Sequence, residues 1–346
     1  MAELSSGRQP ALTGSLQLPP RVVAMGGGHG LYASLTALRH LTRDLTAVVT
    51  VADNGGSSGR LRDDYDTIPP GDLRMALAAL CDDTEKGQAW RELLQHRFPR
   101  SRRHGDGEVG PEKLVGELEG HAMGNLMILT AWSRLGGPVE GLAALGRLIG
   151  ARGRVLPMCS RPLGIEATVR GADPADPHRR DVVVGQKEVA RSAGYVEQVR
   201  LFPQDASAEP QAVQEVMAAD WVVLGPGSWY TSVMPHLLVP DLRDAIVATP
   251  ARRVLTMNID STGENQGRSP AEQLAAVLEN APGFVPNVVL VDHHQVADPE
   301  DRSALEALVR ESDGDLHVAD LVSRTRPGVH DVMRLATAYQ DVLHLG

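Results

Sequence analysis

The stretch VVAMGGGHGLYASLTALRHL, residues 22–41, decides the fold class. Its first four residues form an apolar run with the length and β-branched opening of a buried strand. From Leu31 onward, apolar residues return at helical spacing. Between the two stand Gly26, Gly27 and Gly28, then His29 and a fourth glycine, Gly30. Glycines at a strand-to-helix junction let backbone N–H groups converge, and the helix N-terminus adds about half a positive charge. Such a turn can cradle an anion. The subset from Gly28 through Gly30 to Ala33 fits G-x-G-x-x-A, and Asp53 closes the next apolar run, where a dinucleotide fold places its ribose-binding acid. Taken alone, the match leaves a plain tight turn equally open. It lacks the Lys-[Ser/Thr] pair of a P-loop, which disfavours NTP hydrolysis.

Working outward, short Val/Leu/Met-rich runs recur as VVAM, TAVVTVA, RVLPM, WVVLG, RVLTMNI and NVVLV, with helix-periodic segments such as EQLAAVLENA and SALEALVRES between them. Continuous apolar strands alternating with helices predict a three-layer, Rossmann-like α/β fold around a mostly parallel sheet. Residues 164–186 carry two β-like runs around a Pro/Asp-rich turn and read as an antiparallel flank. Residues 85–119 are polar and helical at their ends, and read as a helical insertion that is mobile at the surface. Residues 1–20 read as a flexible leader and 21–346 as one α/β domain.

Composition narrows the function. The 346 residues are 42% hydrophobic and 23% charged, as in ordinary globular proteins, and the formal net charge is −10. An acidic chain does not coat nucleic acid, so any anionic ligand must be held locally. No window approaches eighteen uninterrupted apolar residues and the leader lacks a signal-peptide pattern, so a cytoplasmic, non-membrane protein is expected. Two cysteines, Cys81 and Cys159, lie far apart and indicate neither a disulfide framework nor a zinc site.

The glycine device recurs at other strand ends. ADNGGSSGRLRDD supplies Asp53, Asn54, Gly55, Gly56, Ser57 and Ser58, then Arg60 and Arg62, a set able to form a backbone nest with a guanidinium clamp. LGPGSWYTSV supplies Gly225, Gly227, Ser228 and Thr231, where helix capping is the alternative for the hydroxyls. Strand ends of an open parallel sheet face one crevice, so the three loops are expected to share a ligand. Asp72 in PPGDLR stands at a helix start, where it either caps or binds. His121 and Asn125 in HAMGN lie four apart, on one helical face or in a packed turn. The DHH triplet at residues 292–294 is read as no metal site, because adjacent strand residues point to opposite faces. RFPRSRRHG is read as a solvated loop.

GGGHGLYASLTALR, VTVADNGGSSGRLRDDY, PPGDLRMALAAL, GHAMGNLMI, LGPGSWYTSVMPHLLVPDLRDAI and TMNIDSTGEN, in this order, resemble the YvcK family of gluconeogenesis factors, which is related to the CofD 2-phospholactate transferases. The resemblance runs from about residue 22 to the end of the chain. It implies a regulator that binds a nucleotide sugar, UDP-N-acetylglucosamine, or a dinucleotide, needs no cofactor, directs carbon into cell-envelope precursors and is required for normal cell shape. It also implies a protein partner in amino-sugar or cell-wall precursor synthesis, and leaves a homodimer open. Carried over by motif, the ligand residues are Gly27, Gly28, His29, Gly30, the 53–60 set, Asp72, His121, Asn125, the 225–231 set, Asn258 and Arg268. The chain departs from the family's GGGTG and ADDGGSSGR at His29 and Asn54. Arg268 stands near the position where relatives carry an aromatic residue, and a guanidinium plane can also stack. No residue pair stands out as catalytic acid and base. The alternative is a CofD-like transferase moving a phosphate-containing or glycosyl group from a nucleoside diphosphate donor, with Mg²⁺ on Asp53 or Asp72. A nicotinamide oxidoreductase would rest on the glycine fingerprint alone.

Overall fold

The computed structural model describes residues 19–52, 55–99, 118–173, 175–192, 194–259 and 267–344. In chain order the elements are β1 (Val22–Gly26), α1 (Gly28–Leu38), β2 (Leu45–Val49), α2 (Gly56–Tyr65), α3 (Gly71–Leu80), α4 (Glu85–Gln95), α5 (Met123–Leu135), α6 (Pro138–Ile149), β3 (Arg154–Pro157), β4 (Gly164–Arg170), β5 (Arg180–Val184), α7 (Gln186–Ala190) and β6 (Tyr195–Phe202). There follow α8 (Pro210–Ala218), β7 (Trp221–Leu224), a π-helical turn (Trp229–Val233), α9 (Met234–Leu238), α10 (Pro240–Ala248), β8 (Arg252–Thr256), α11 (Pro270–Asn280), β9 (Val288–Asp292), α12 (Pro299–Glu311), β10 (Asp315–Ala319) and α13 (Val332–His344).

Seven strands form one parallel sheet in the order β10-β9-β8-β7-β1-β2-β3. The central strands are buried along their whole length, as helices on both faces require: all five residues of β1, β2 and β9 and all four of β7 are buried. α1 packs with α3 and α13, and α8 with α10 and, through it, α9. Right-handed crossovers put these groups on opposite faces, because the chain runs one way from β1 to β3 and the other way from β7 to β10. The expected three-layer Rossmann-like fold is present. Among the described residues no helix is long and apolar enough to cross a membrane.

Two expectations need their extent corrected. The antiparallel flank is a sheet of three strands, β5-β4-β6, so it reaches past residue 186 to include β6. β6 turns Val199 and Leu201 inward at period 2 and Val196 as well, one residue out of step across a bulge opposite Thr168 and Val169. Of residues 85–119, the first part is α4, whose Thr84 side chain accepts from the Gly87 amide. α4 packs on α3 and α5 with Leu94 fully buried, so this part is a built-in helix. Residues 100–117 of the expected insertion, residues 1–18 of the expected leader, and Asp53 and Asn54 lie outside the described residues.

Candidate functional site

β1 and β7 are neighbours, yet the chain leaves them in opposite directions across the sheet. The carboxyl ends of such a pair, where the strand order reverses, are the place where open α/β sheets bind ligands. The loops that follow them are the glycine-rich ones.

In the first loop each glycine has a separate reason. Gly28 runs at φ +57, in the left-handed region, and the direction a Cβ would take is open for 4 Å. Gly27 is extended, and a Cβ on it would stand 2.5 Å from Asp72 Oδ2 and from Thr50 Cγ2. Gly30 lies in the first turn of α1, where a Cβ would meet the Pro226 carbonyl oxygen at 2.1 Å and Gly227 Cα at 2.9 Å. Gly30 therefore lets α1 lean on the second loop. The first bond of α1 runs from the Leu31 amide to the Gly27 carbonyl, so the amides of Gly28, His29 and Gly30 precede the helical ladder and point out of its positive end. His29 is exposed there.

In the second loop Gly225 has φ +77 and Gly227 φ +149, and a Cβ on Gly225 would stand 2.7 Å from the Thr256 carbonyl oxygen. Ser228 Oγ accepts from the Thr231 amide at 3.3 Å, and the two hydroxyls bond each other. Capping thus accounts for both side chains. What this loop offers a ligand is backbone.

The third loop behaves differently from the nest and clamp expected of it. Gly56 has φ +56 with open space beside it, but Ser57 and Ser58 are buried. Ser57 Oγ accepts from Asn125 Nδ2 at 3.1 Å and from the Ala122 amide at 3.4 Å, and lies 3.1 Å from His121 Nδ1. With two donors on its oxygen, Ser57 gives its proton to Nδ1, which assigns the His121 proton to Nε2. Asn125 Oδ1 in turn accepts from Arg74 Nε at 3.0 Å. Burial, and after it the charge of Arg60, lowers the His121 pKa and keeps the ring neutral. Arg60 donates to the Glu119 carbonyl at 2.8 Å and Arg62 to the Leu163 carbonyl at 3.1 Å, so both guanidiniums hold backbone.

Helix α3 joins these two clusters. Asp72, in its first turn, lies against Gly27; Arg74, two residues on, enters the Ser57 network, with Gly124 leaving room for its side chain. A carboxylate in a first helical turn is favourable electrostatically, and here it also stands at the edge of the cradle. Of the residues that structure adds, Thr50 and Arg74 sit inside or beside motif stretches, yet nothing in their local pattern marks them.

Asn258, just past β8, is half-buried and accepts from Gln295 Nε2 through its backbone carbonyl at 2.8 Å. Arg268 stacks on Tyr195 with Cζ 3.9 Å from the ring centroid, donates to Tyr230 Oη and to the Val196 carbonyl, and lines a pocket of about 560 Å³ together with Ile259, Gln273, Asp292 and His294. The opposite-faces argument against the DHH triplet does not hold: β9 ends at Asp292, and His293 and His294 follow in a turn with ring centroids 3.9 Å apart. Asp292, His293 and His294 have ligand atoms within 4.8 Å of one another. The Asp292 carboxylate is buried and accepts the amides of His294, Leu321 and Val322, which gives it a structural task of its own.

The family description 2-phospho-L-lactate transferase CofD matches residues 22–326. A Mycobacterium tuberculosis protein named "Putative gluconeogenesis factor" is 47% identical over 93% of this chain and 90% of its own length. The Bacillus subtilis protein named gluconeogenesis factor is 29% identical over 94% of this chain and 98% of its own. A crystal structure of a UPF0052 family member from Bacillus halodurans superposes with a TM-score of 0.76 at 28% identity, covering 92% of this chain and 98% of that one.

Proposed function

Because the chain belongs to the CofD family and, within it, to the gluconeogenesis factors, we propose that it is a regulator that binds a nucleotide sugar of the UDP-N-acetylglucosamine type. The diphosphate rests on residues 27–30 and 225–228, mainly on backbone amides. The observation that carries this reading is Gly28: left-handed, unobstructed, at the positive end of α1, and at the carboxyl end of β1 where the strand order reverses. The Arg268 pocket takes the nucleoside or sugar end, with the guanidinium already stacked on Tyr195. Binding without turnover is favoured by Ser57 and His121. Their pairing resembles a nucleophile with its base, but the Ser57 oxygen already accepts two N–H groups and both residues are buried. The bound state then signals to a protein partner in amino-sugar or cell-wall precursor synthesis and so supports cell shape.

Asp72 favours a second reading. A carboxylate beside a diphosphate repels it unless it accepts a sugar hydroxyl or holds a cation, and one carboxylate oxygen against Gly27 suits Mg²⁺ as a ligand. In that case the chain is a transferase like those its family is named for, and Mg²⁺ would supply charge neutralisation at the diphosphate. Calorimetry with UDP-N-acetylglucosamine, with and without Mg²⁺, followed by recovery of the ligand after incubation with candidate acceptors, separates the readings. Binding with intact recovery is expected. An absence of binding heat removes the nucleotide-sugar reading, and acceptor-dependent release of UDP establishes the transferase.

A further inference from the structure

Behind the second glycine loop lies a line of three hydroxyls: Ser34 and Thr256, each inside a motif stretch but with no role read for it there, and Tyr339, outside all of them. Ser34 on α1, Thr256 at the end of β8 and Tyr339 on α13 are fully buried. Ser34 Oγ donates to the Gly225 carbonyl at 3.2 Å and lies 2.6 Å from Tyr339 Oη, which lies 3.0 Å from Thr256 Oγ1. Each hydroxyl has one proton. Since the Ser34 proton goes to Gly225, Tyr339 must donate to Ser34, and Thr256 to Tyr339. The chain therefore has one direction, Thr256 to Tyr339 to Ser34 to the Gly225 carbonyl, and each bond polarises the next. Burial pushes the Tyr339 phenol up to about 12, so it remains a neutral donor across the physiological range.

We propose that Tyr339 is a positioning residue for the anion cradle: its buried hydroxyl chain keeps the Gly225 carbonyl turned into the protein, so that this oxygen does not face an anion held at the two glycine loops. A carbonyl free to swing toward that anion would set its negative end against a phosphate. Gly225 lacks a side chain and sits at φ +77, and Pro226 fixes the dihedral beyond the peptide, so the direction of this carbonyl turns on the ψ of Gly225, which the bond from Ser34 holds. The tie also joins the last helix of the fold to the first, because α13 packs on α1 as well as holding the loop. Coupling of this kind is reciprocal: if Tyr339 sets the cradle, an occupied cradle steadies α13.

The binding half of this inference rests on the nucleotide-sugar reading, and the positioning half does not. Tyr339→Phe keeps the ring and removes the hydroxyl. In ligand-free protein, amide exchange across residues 227–233 should accelerate about fivefold, the scale of one net hydrogen bond. Affinity for UDP-N-acetylglucosamine should weaken by a similar factor, again about fivefold. Thr256→Val, which removes only the bond behind Tyr339, should shift both in the same direction by less, and Thr256→Ser neither. Val342→Ala, a buried change on the same helix, should lower the Tm while leaving loop exchange and affinity as in the wild type. If Tyr339→Phe fails to fold, Ser34→Ala breaks the same chain from α1. Unchanged exchange in the loop overturns the proposal, as does faster exchange with unchanged affinity, or an equal effect from Val342→Ala. A wild-type protein that binds no nucleotide sugar removes the ligand reading instead, and the exchange measurement still decides the positioning role.

Discussion

At Gly28 and Gly30, two glycines two residues apart, the same substitution should fail for different reasons. Gly28→Ala puts a methyl into open space and costs about 1–2 kcal/mol through the left-handed backbone alone. Gly30→Ala drives a methyl into a backbone carbonyl 2.1 Å away, so α1 and the second loop must separate; overpacking of this kind costs roughly 1–3 kcal/mol and often more against rigid backbone. Denaturant unfolding should therefore rank Gly30→Ala as the more damaging. Ligand binding should rank differently. Gly28→Val fills the space over the cradle and is expected to abolish binding of UDP-N-acetylglucosamine in a folded protein. Gly150→Val serves as its match, since Gly150 ends α6 at φ +68 with equally open space. Calorimetry on both variants checks this, and unchanged affinity in Gly28→Val would remove the diphosphate from this loop.

Among the elements, α2, α3 and α5 meet at Ser57. Ser57→Ala leaves Asn125 Nδ2 and the Ala122 amide without their acceptor in a buried place, at a cost of about 1–3 kcal/mol. A loss of less than half a kcal/mol in urea unfolding would show that the junction is redundant. The glycines before α2 make its entry easy to reshape, and a ligand can reorder it only through contacts that differ between the two states. Hydrogen exchange across residues 55–62 should slow when UDP-N-acetylglucosamine binds, and Arg60→Ala, which removes the bond to the Glu119 carbonyl, should blunt that response. Equal protection in wild type and variant, with and without ligand, would place the response elsewhere in the fold.

For the whole molecule, two buried imidazoles predict a pH dependence of stability. Burial lowers His236 and His330 from 6.5 to about 4 in the folded state. Between those values the unfolded chain binds protons that the folded chain refuses, so stability is full above pH 6.5 and falls as pH drops toward 4. From pH 7 to pH 5 the loss should be about 2 kcal/mol for each histidine. His330→Gln should remove roughly half of that difference. Equal stability of the wild type at the two pH values would mean that neither ring is held neutral by the fold.

Much of this protein follows from local rules. The apolar runs at residues 22–25 and 221–224 had to be central strands, because only a sheet covered on both faces accepts continuous hydrophobic residues. Helix starts were equally readable: Ser269 and Glu272 form a capping box, and proline opens α6, α8, α10, α11 and α12. The polar edge strand β10 and the half-exposed β6 escaped, since edge strands lack the full apolar run that marks a central one. The sequence by itself thus determined the class of fold and the presence of glycine loops at its strand ends. Which glycine has open space beside it and which one makes room for a carbonyl was decided by the tertiary structure. So was the diversion of Ser57, His121 and Asn125 into a buried junction with Arg74. The reason is distance along the chain: Ser34 meets Gly225 across 191 residues and Tyr339 across 305, and no local periodicity encodes a contact that exists only once the sheet has brought both ends together.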